Sequence, residues 1–192
     1  MHVVYGGAFN PPTKAHLDVY YFLHHKVNID KFIYLPVGNV YGKDHMIKGI
    51  HRLRMLKRMV AELSDVVVSD LELDDDTYQG TYESLERLKE DGIPMAFVIG
   101  ADHLEDLHGW KHSDRLLAEF QCIVLNRDKK DLKSLIRQDP YLNKHKESIH
   151  VFSDFKVDIS ASTFRDTLNE TLVVPAVYDY ILKHGLYGIE KG

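Results

Sequence analysis

Residues 3–16, VVYGGAFNPPTKAH, decide how this chain is read. The stretch opens within a short apolar run, residues 2–5, and breaks at Gly6-Gly7. It passes through Asn10-Pro11-Pro12 and continues with Ala15, Val19, Phe22 and Leu23 at helical spacing. The pattern is strand, glycine turn, helix. Such a turn aims backbone N–H groups and a helix N-terminus into one crevice, which suits an anion. Gly6 and Gly7 let backbone approach a phosphate where a Cβ would clash. His16 falls in the first turns of the helix and can face the same crevice. Taken singly, each feature has a plainer explanation: an ordinary turn, a stiffened loop, a surface histidine. Together they read as a loop for a nucleotide phosphate. It is not a Walker loop, because no Gly-Lys-Ser/Thr follows, and the GxGxxG fingerprint is absent.

Outward from that stretch, apolar runs alternate with helical patterns along the whole chain. Strands are expected at 2–5, 31–35, 66–69, 95–99, 122–125 and 149–152. Helices are expected at 13–25, 50–63, 81–91, 101–107, 112–119, 130–138, 160–168 and 175–184. Short apolar strands separated by helices predict an α/β fold, a Rossmann-like, doubly wound parallel sheet covered on both faces. Ligands of such sheets bind beyond the carboxyl ends of the strands, and several unusual residues here directly follow a strand, as for one composite site. No repeat or linker divides the chain, so a single domain over residues 1–192 is expected. The acidic run 70–76, DLELDDD, reads as a solvated loop, and the polar stretch 139–147 as a surface loop.

A length of 192 residues supports a substantial core. The net charge of −5 argues against a general nucleic-acid binder. Cys122 is the one cysteine, so it makes no internal disulfide and reads as a small core residue. No signal peptide, apolar membrane span or lipidation signal is evident, and a cytoplasmic protein without membrane association is expected. The 12 histidines form no HExxH or comparable metal pattern, so no protein-held metal is expected. A homo-oligomer is left open.

Five further stretches carry chemistry-bearing residues. The loop 36–48 is rich in Gly, Tyr and Lys, and by itself reads as an ordinary flexible loop. Thr81-Tyr82 opens a helix, with Thr81 suited to an N-cap. In residues 96–110, AFVIGADHLEDLHGW, a buried strand ends at Gly100 and Asp102 lies in the next turn. An acid there caps a helix or accepts from a ribose. Trp110 is either a rim aromatic or a flat plate for a planar ring. Arg127 follows the fifth strand and has the fork to clamp phosphate. In VDISASTFR, residues 157–165, a Ser/Thr cluster starts a helix that carries Arg165.

The segment GGAFNPPTKAH resembles the nucleotidylyltransferase signature GGxFNPxHxGH, with Thr13 in place of the first His and Ala15 in place of Gly. LPVGNVYGK is similar to a PVGxxYxK segment in which Lys43 matches a phosphate-binding lysine. Residues 100–110 keep the spacing of GxDxLxxLxxW, and ISASTFR is similar to ISSTxxR, with Ala161 and Ser162 as departures. The tail VPAVYDYILKHGLY completes a likeness running from 4 to 187. On these motifs the chain is identified as a member of the nicotinate/nicotinamide mononucleotide adenylyltransferase family, bacterial nicotinate type.

The resemblance implies transfer of AMP from ATP to nicotinate mononucleotide, with Mg²⁺ held mainly by the ATP phosphates. His16, Thr13, Lys43 and Arg165 are implied as the catalytic set. ATP is implied at Gly6, Gly7, Ala8, Phe9, His16, Gly100, Asp102, Arg127, Ile159, Ser160, Ser162 and Arg165. The mononucleotide is implied at Asn10, Lys43, Thr81, Tyr82 and Trp110. Two other readings stay open: adenylyl or cytidylyl transfer to another phosphorylated acceptor such as phosphopantetheine, and a non-catalytic nucleotide-binding regulator.

Overall fold

The computed structural model describes residues 1–41, 46–126, 130–156 and 160–189. Six strands are present among them: β1 (His2–Gly7), β2 (Lys31–Pro36), β3 (Val66–Val68), β4 (Met95–Gly100), β5 (Gln121–Leu125) and β6 (Ile149–Phe152). The helices are α1 (Lys14–Lys26), α2 (Gly49–Met59), α3 (Thr81–Leu88), α4 (Ser113–Glu119), α5 (Leu132–Gln138), α6 (Pro140–Lys144), α7 (Ala161–Thr167) and α8 (Pro175–His184). The strand order is β3-β2-β1-β4-β5-β6. Its direction reverses between β1 and β4, the doubly wound arrangement in which the sheet grows outward both ways from its first strand. Each described pairing is parallel, with His2 opposite Met95, Phe32 opposite Val66, Ala96 opposite Gln121 and Cys122 opposite Ile149. Parallel strands covered on both faces need continuous apolar runs, and MAFVI of β4 and CIVL of β5 are buried throughout.

The chain forms two compact units. The first combines Met1–Gly6 with Gln79–Lys156. It holds most of β1 and the whole of β4, β5 and β6, with α3 to α6. Cys122 is fully buried in β5, where loss of hydration pushes its thiol far above the ordinary range. Three expectations are corrected here. The expected helix 101–107 is two 3-10 turns, Ala101–His103 and Leu107–Gly109. The expected loop 139–147 contains α6, because Pro140 occupies its first turn, Asp139 accepts from the Leu142 N–H and Leu142 is buried. The N-cap of α3 is Gly80 rather than Thr81. At a φ of 100° and with the Lys111 Cβ 3.1 Å from where a Cβ would sit, position 80 admits glycine alone.

The second unit combines Gly7–Tyr78 with Val157–Gly192. Within it α2 packs on α8 and against β2 and β3. Helix α1 ends in His24, His25 and Lys26, and the Lys26 cation suits the negative helix end. The Tyr20 hydroxyl donates to Asp65 at 2.8 Å, and His24 lies 3.3 Å from the same carboxylate, tying α1 to the turn before β3. Helix α8 starts on Pro175 and stops at Gly185 in the left-handed region, the usual asymmetry of helix ends. The acidic run 70–76 is less solvated than expected: Glu72 is buried, and its carbonyl lies where a Cβ on Gly38 would have to sit.

Candidate active site

The strand-turn-helix stretch builds a compact group around His16. Thr13 is the N-cap of α1, with extended backbone, and is fully buried. Its backbone N–H donates to His16 Nδ1 at 2.9 Å, and its Oγ1 is also 2.9 Å from that nitrogen. A backbone N–H can only donate, so Nδ1 must be the accepting nitrogen and the ring proton resides on Nε2. The N-cap therefore makes His16 a donor through Nε2. The Tyr34 hydroxyl donates to the His16 carbonyl at 2.8 Å. Phe9 packs edge-on against both rings, with centroids 5.0 Å from His16 and 5.6 Å from Tyr34.

Phe9 adopts a φ of 46°, a left-handed conformation that costs a non-glycine residue roughly 1–2 kcal/mol. Burial of its ring, 2% exposed, offsets that cost. The ring folds back over Gly7, where an added Cβ would lie 3.2 Å from Cζ. Gly7 is thus needed as much for the Phe9 ring as for any phosphate. Such strain collects where structure must hold a functional geometry.

The same group draws in three cationic or phenolic side chains. Arg165 of α7 donates from a terminal guanidinium nitrogen to the Asn10 carbonyl at 2.6 Å. The Tyr187 hydroxyl donates to Asn10 Oδ1 at 2.8 Å. Arg52 of α2 is fully buried and donates to the carbonyls of Ala8 (2.8 Å), Val37 (2.7 Å) and Ile47 (3.1 Å). No carboxylate pairs with it among the described residues. Burial pulls its pKa down to about 10, which leaves it charged at neutral pH. Arg52 was not anticipated from the sequence. The available signal was its phase: Arg52, Leu56 and Met59 fall on one stripe of α2, so a charge interrupts an apolar face.

Ser160 caps α7 by accepting from the Thr163 N–H at 3.1 Å, and its hydroxyl lies 2.7 Å from that of Ser162. The two hydroxyls satisfy each other and the helix end. In the second unit, then, the structure gathers Gly7, Ala8, Phe9, Asn10, Thr13, His16 and Arg165 into one connected group, and Ser160 and Ser162 begin the helix that carries Arg165. Lys43, Arg127 and Ile159 lie outside the described residues.

The other expected positions belong to the first unit. Gly6 closes β1. Gly100 closes β4, and the Asp102 carboxylate folds back so closely that a Cβ on Gly100 would collide with Oδ1. Glycine at 100 is what allows Asp102 to hold that position. Trp110 is half-buried, its ring 6.4 Å from Phe97 and edge-on to His103 at 6.1 Å. Thr81 occupies the first turn of α3. Tyr82 is packed inward, its hydroxyl donating to Glu119 at 3.1 Å with the Arg115 guanidinium over its ring at 4.6 Å. Residues 81 and 82 stand in the first turn of α3, where backbone N–H groups have no acceptor within the helix. Among the described residues no group of three or more His, Cys, Asp or Glu could hold a metal ion, and no helix is long and apolar enough to cross a membrane.

Fold and group together define a Rossmann-like α/β protein in which a glycine turn after the first strand leads into a helix start that fixes the His16 ring. The cytidylyltransferase-like family matches residues 4–167, and the chain belongs to it. A "Probable nicotinate-nucleotide adenylyltransferase" of Acholeplasma laidlawii is 34% identical, over 97% of each chain. A protein of the same name from Clostridium acetobutylicum is 31% identical, over 96% of this chain and 97% of its own. Among solved structures, the nicotinic acid mononucleotide adenylyltransferase of Plasmodium falciparum complexed with NaAD superposes with a TM-score of 0.77. That match covers 100% of this chain and 98% of the other at 22% identity, and it confirms the fold.

Proposed function

We propose that the chain transfers AMP from ATP to nicotinate mononucleotide, forming the dinucleotide and pyrophosphate in NAD biosynthesis. The names of its full-length relatives support this reading, and the observation that carries it is the Thr13 N–H on His16 Nδ1. An oxygen of the mononucleotide 5′-phosphate bonds to the α-phosphorus of ATP. The bond from that phosphorus to the α–β bridging oxygen breaks, and pyrophosphate leaves with the electron pair. The nucleophile is already an anion, so the protein needs no nucleophile of its own and acts by positioning and charge stabilisation.

His16 Nε2–H donates to the charge that develops at the α-phosphate. Thr13 sets the tautomer and orientation of that ring. Arg165 keeps guanidinium donors beyond the one on Asn10 for the triphosphate and the leaving pyrophosphate, a task shared with Lys43 and Arg127. Backbone of residues 6–9 and the segment 159–162 line ATP phosphates, and Asp102 accepts from a nucleotide hydroxyl. Mg²⁺ held mainly by the ATP phosphates would supply neutralisation of part of the triphosphate charge.

Trp110 stacks on the pyridine, and Asn10 faces the mononucleotide. Backbone N–H groups at 81–82 suit a carboxylate, which has acceptors only, better than an amide. Nicotinate mononucleotide is therefore the preferred acceptor, with measurable activity on the nicotinamide form. The test is pyrophosphate release and dinucleotide formation with ATP, Mg²⁺ and each of three acceptors: the two mononucleotides and phosphopantetheine. A kcat/KM highest for nicotinate mononucleotide supports the reading. Equal or higher values for the amide overturn the acceptor, and turnover of phosphopantetheine alone overturns the function.

A further inference from the structure

The chain's last turn reaches the phosphate loop through a single hydroxyl. Residues Leu186–Gly188 form a 3-10 turn after α8 in which Tyr187 adopts a φ of 59°. A non-glycine residue pays for that conformation, and two observations show what it holds in place. The Tyr187 ring packs edge-on against the fully buried Phe164 of α7, with centroids 5.8 Å apart. Its hydroxyl donates to Asn10 Oδ1 at 2.8 Å, across 177 residues of sequence.

Asn10 is held from three directions. Oδ1 also accepts from the Ile47 N–H at 3.4 Å, and the Asn10 carbonyl accepts from Arg165 at 2.6 Å. The Ile47 N–H can only donate, so the oxygen of the Asn10 amide must face it and the tail. The NH₂ end is thereby turned the opposite way. Burial pushes the Tyr187 phenol far up, against the opposing pull of Arg165 and Arg52, so it remains a protonated donor throughout the working pH range. Asn10 leads through Pro11-Pro12 directly into Thr13, whose N–H sets the His16 tautomer. Two prolines with fixed φ transmit the placement of Asn10 with little play.

We propose that Tyr187 is a positioning residue for adenylyl transfer, orienting the Asn10 amide so that its NH₂ end serves the phosphorylated acceptor. This rests on the proposed reaction. The Tyr187 hydroxyl spends its one hydrogen on Oδ1, so it has none left to donate to a phosphate. Its effect runs through Asn10 and vanishes when Asn10 has no amide to orient.

The test is a double-mutant cycle of Tyr187→Phe and Asn10→Ala, read as KM for nicotinate mononucleotide, KM for ATP, kcat and thermal midpoint. Phe keeps the ring contact with Phe164 and deletes only the hydroxyl. Tyr187→Phe should raise the acceptor KM about fivefold, the loss of one hydrogen bond, with ATP KM unchanged and the midpoint close to wild type. In the Asn10→Ala background the same substitution should leave the acceptor KM within about twofold. An equal effect in both backgrounds, an unchanged acceptor KM in the single variant, or a loss shared equally by ATP would each overturn the assignment. Wild-type protein that forms no dinucleotide would overturn the proposed reaction and this role with it. An active wild type with an additive cycle overturns the role of Tyr187 alone.

Discussion

Replacing Arg52 with methionine tests whether a buried cation organises the loop between β1 and α1. Methionine keeps an unbranched stem of comparable reach and removes the guanidinium. The carbonyls of Ala8, Val37 and Ile47 then lose their Arg52 donors. A carbonyl left without a partner away from water costs roughly 1–3 kcal/mol, so these three part-buried groups, at the middle of that range, together cost about 6 kcal/mol. Against this, the variant no longer pays for burying the charge. A pKa drawn from 12.5 down to about 10 corresponds to about 3 kcal/mol of penalty in the folded state. The difference is a net destabilisation of about 3 kcal/mol. For a chain of this size each kcal/mol moves the thermal midpoint by roughly 2–4 °C, so Arg52→Met should melt about 6–12 °C lower. The pH dependence has a definite sign. A cation whose folded pKa is lowered binds more protons unfolded than folded only between about 10 and 12.5, so wild-type stability gains from this group only as pH rises through that window. Below it the difference between wild type and variant is constant. Calorimetric melts at several pH values between 5 and 9 make the check. A midpoint within about 2 °C of wild type would refute the reasoning, as would a difference that changes with pH across that range.

His16→Ala should lower kcat by about 10²-fold or more, the loss of one oxyanion donor, with a smaller change in ATP affinity; unchanged turnover would remove His16 from the chemistry. Thr13→Ala should cost less, because the backbone N–H still fixes Nδ1 as acceptor. Trp110 is the chain's one tryptophan, so its fluorescence should respond to nicotinate mononucleotide more than to an ATP analogue. Trp110→Ala should weaken the acceptor by roughly 1–3 kcal/mol and leave ATP binding intact. Burial and the bond to Asp65 raise the Tyr20 phenol to about 12. The folded chain therefore holds a proton that the unfolded chain releases from pH 10 upward, and stability falls as pH rises through that window. Tyr20→Phe should flatten this alkaline limb in melts recorded between pH 9 and 12, and an unchanged limb would refute the assignment.

Local pattern carried the sheet. Each expected strand reappears within two residues of its expected bounds, and β2, β4 and β5 do so because a strand buried on both faces writes itself as an unbroken apolar run. The stretch at 101–107 was misjudged for a related reason: Leu104 and Leu107 are fully buried at helical spacing, yet the backbone reaches that spacing with two 3-10 turns. Burial fixes which side chains point inward and not which hydrogen-bond ladder carries them. The segment 139–147 erred the other way. A helix of five residues has too few positions for a periodicity, and only the Asp-Pro start at 139–140 announced it.

The group around His16 divides along the same line. Thr13 and His16 lie three residues apart, so their hydrogen bond is a property of one helix start and could be anticipated from the N-terminal stretch. Arg52, Arg165 and Tyr187 reach that stretch from 44, 155 and 177 residues away. Nothing in their own neighbourhoods states whom they meet. Arg52 shows only as a charge on an apolar stripe, and Tyr187 only as a tyrosine after a helix-ending glycine. Arg165 was expected to face phosphate, and one of its donors holds the Asn10 carbonyl. Positioning the loop and binding an anion are compatible tasks for a guanidinium with five N–H donors. A lysine has three donors but presents them from a single nitrogen, without the rigid planar fork that aims separate donors at separate acceptors. The geometry therefore gives a physical reason for arginine at 165 that the motif alone did not contain.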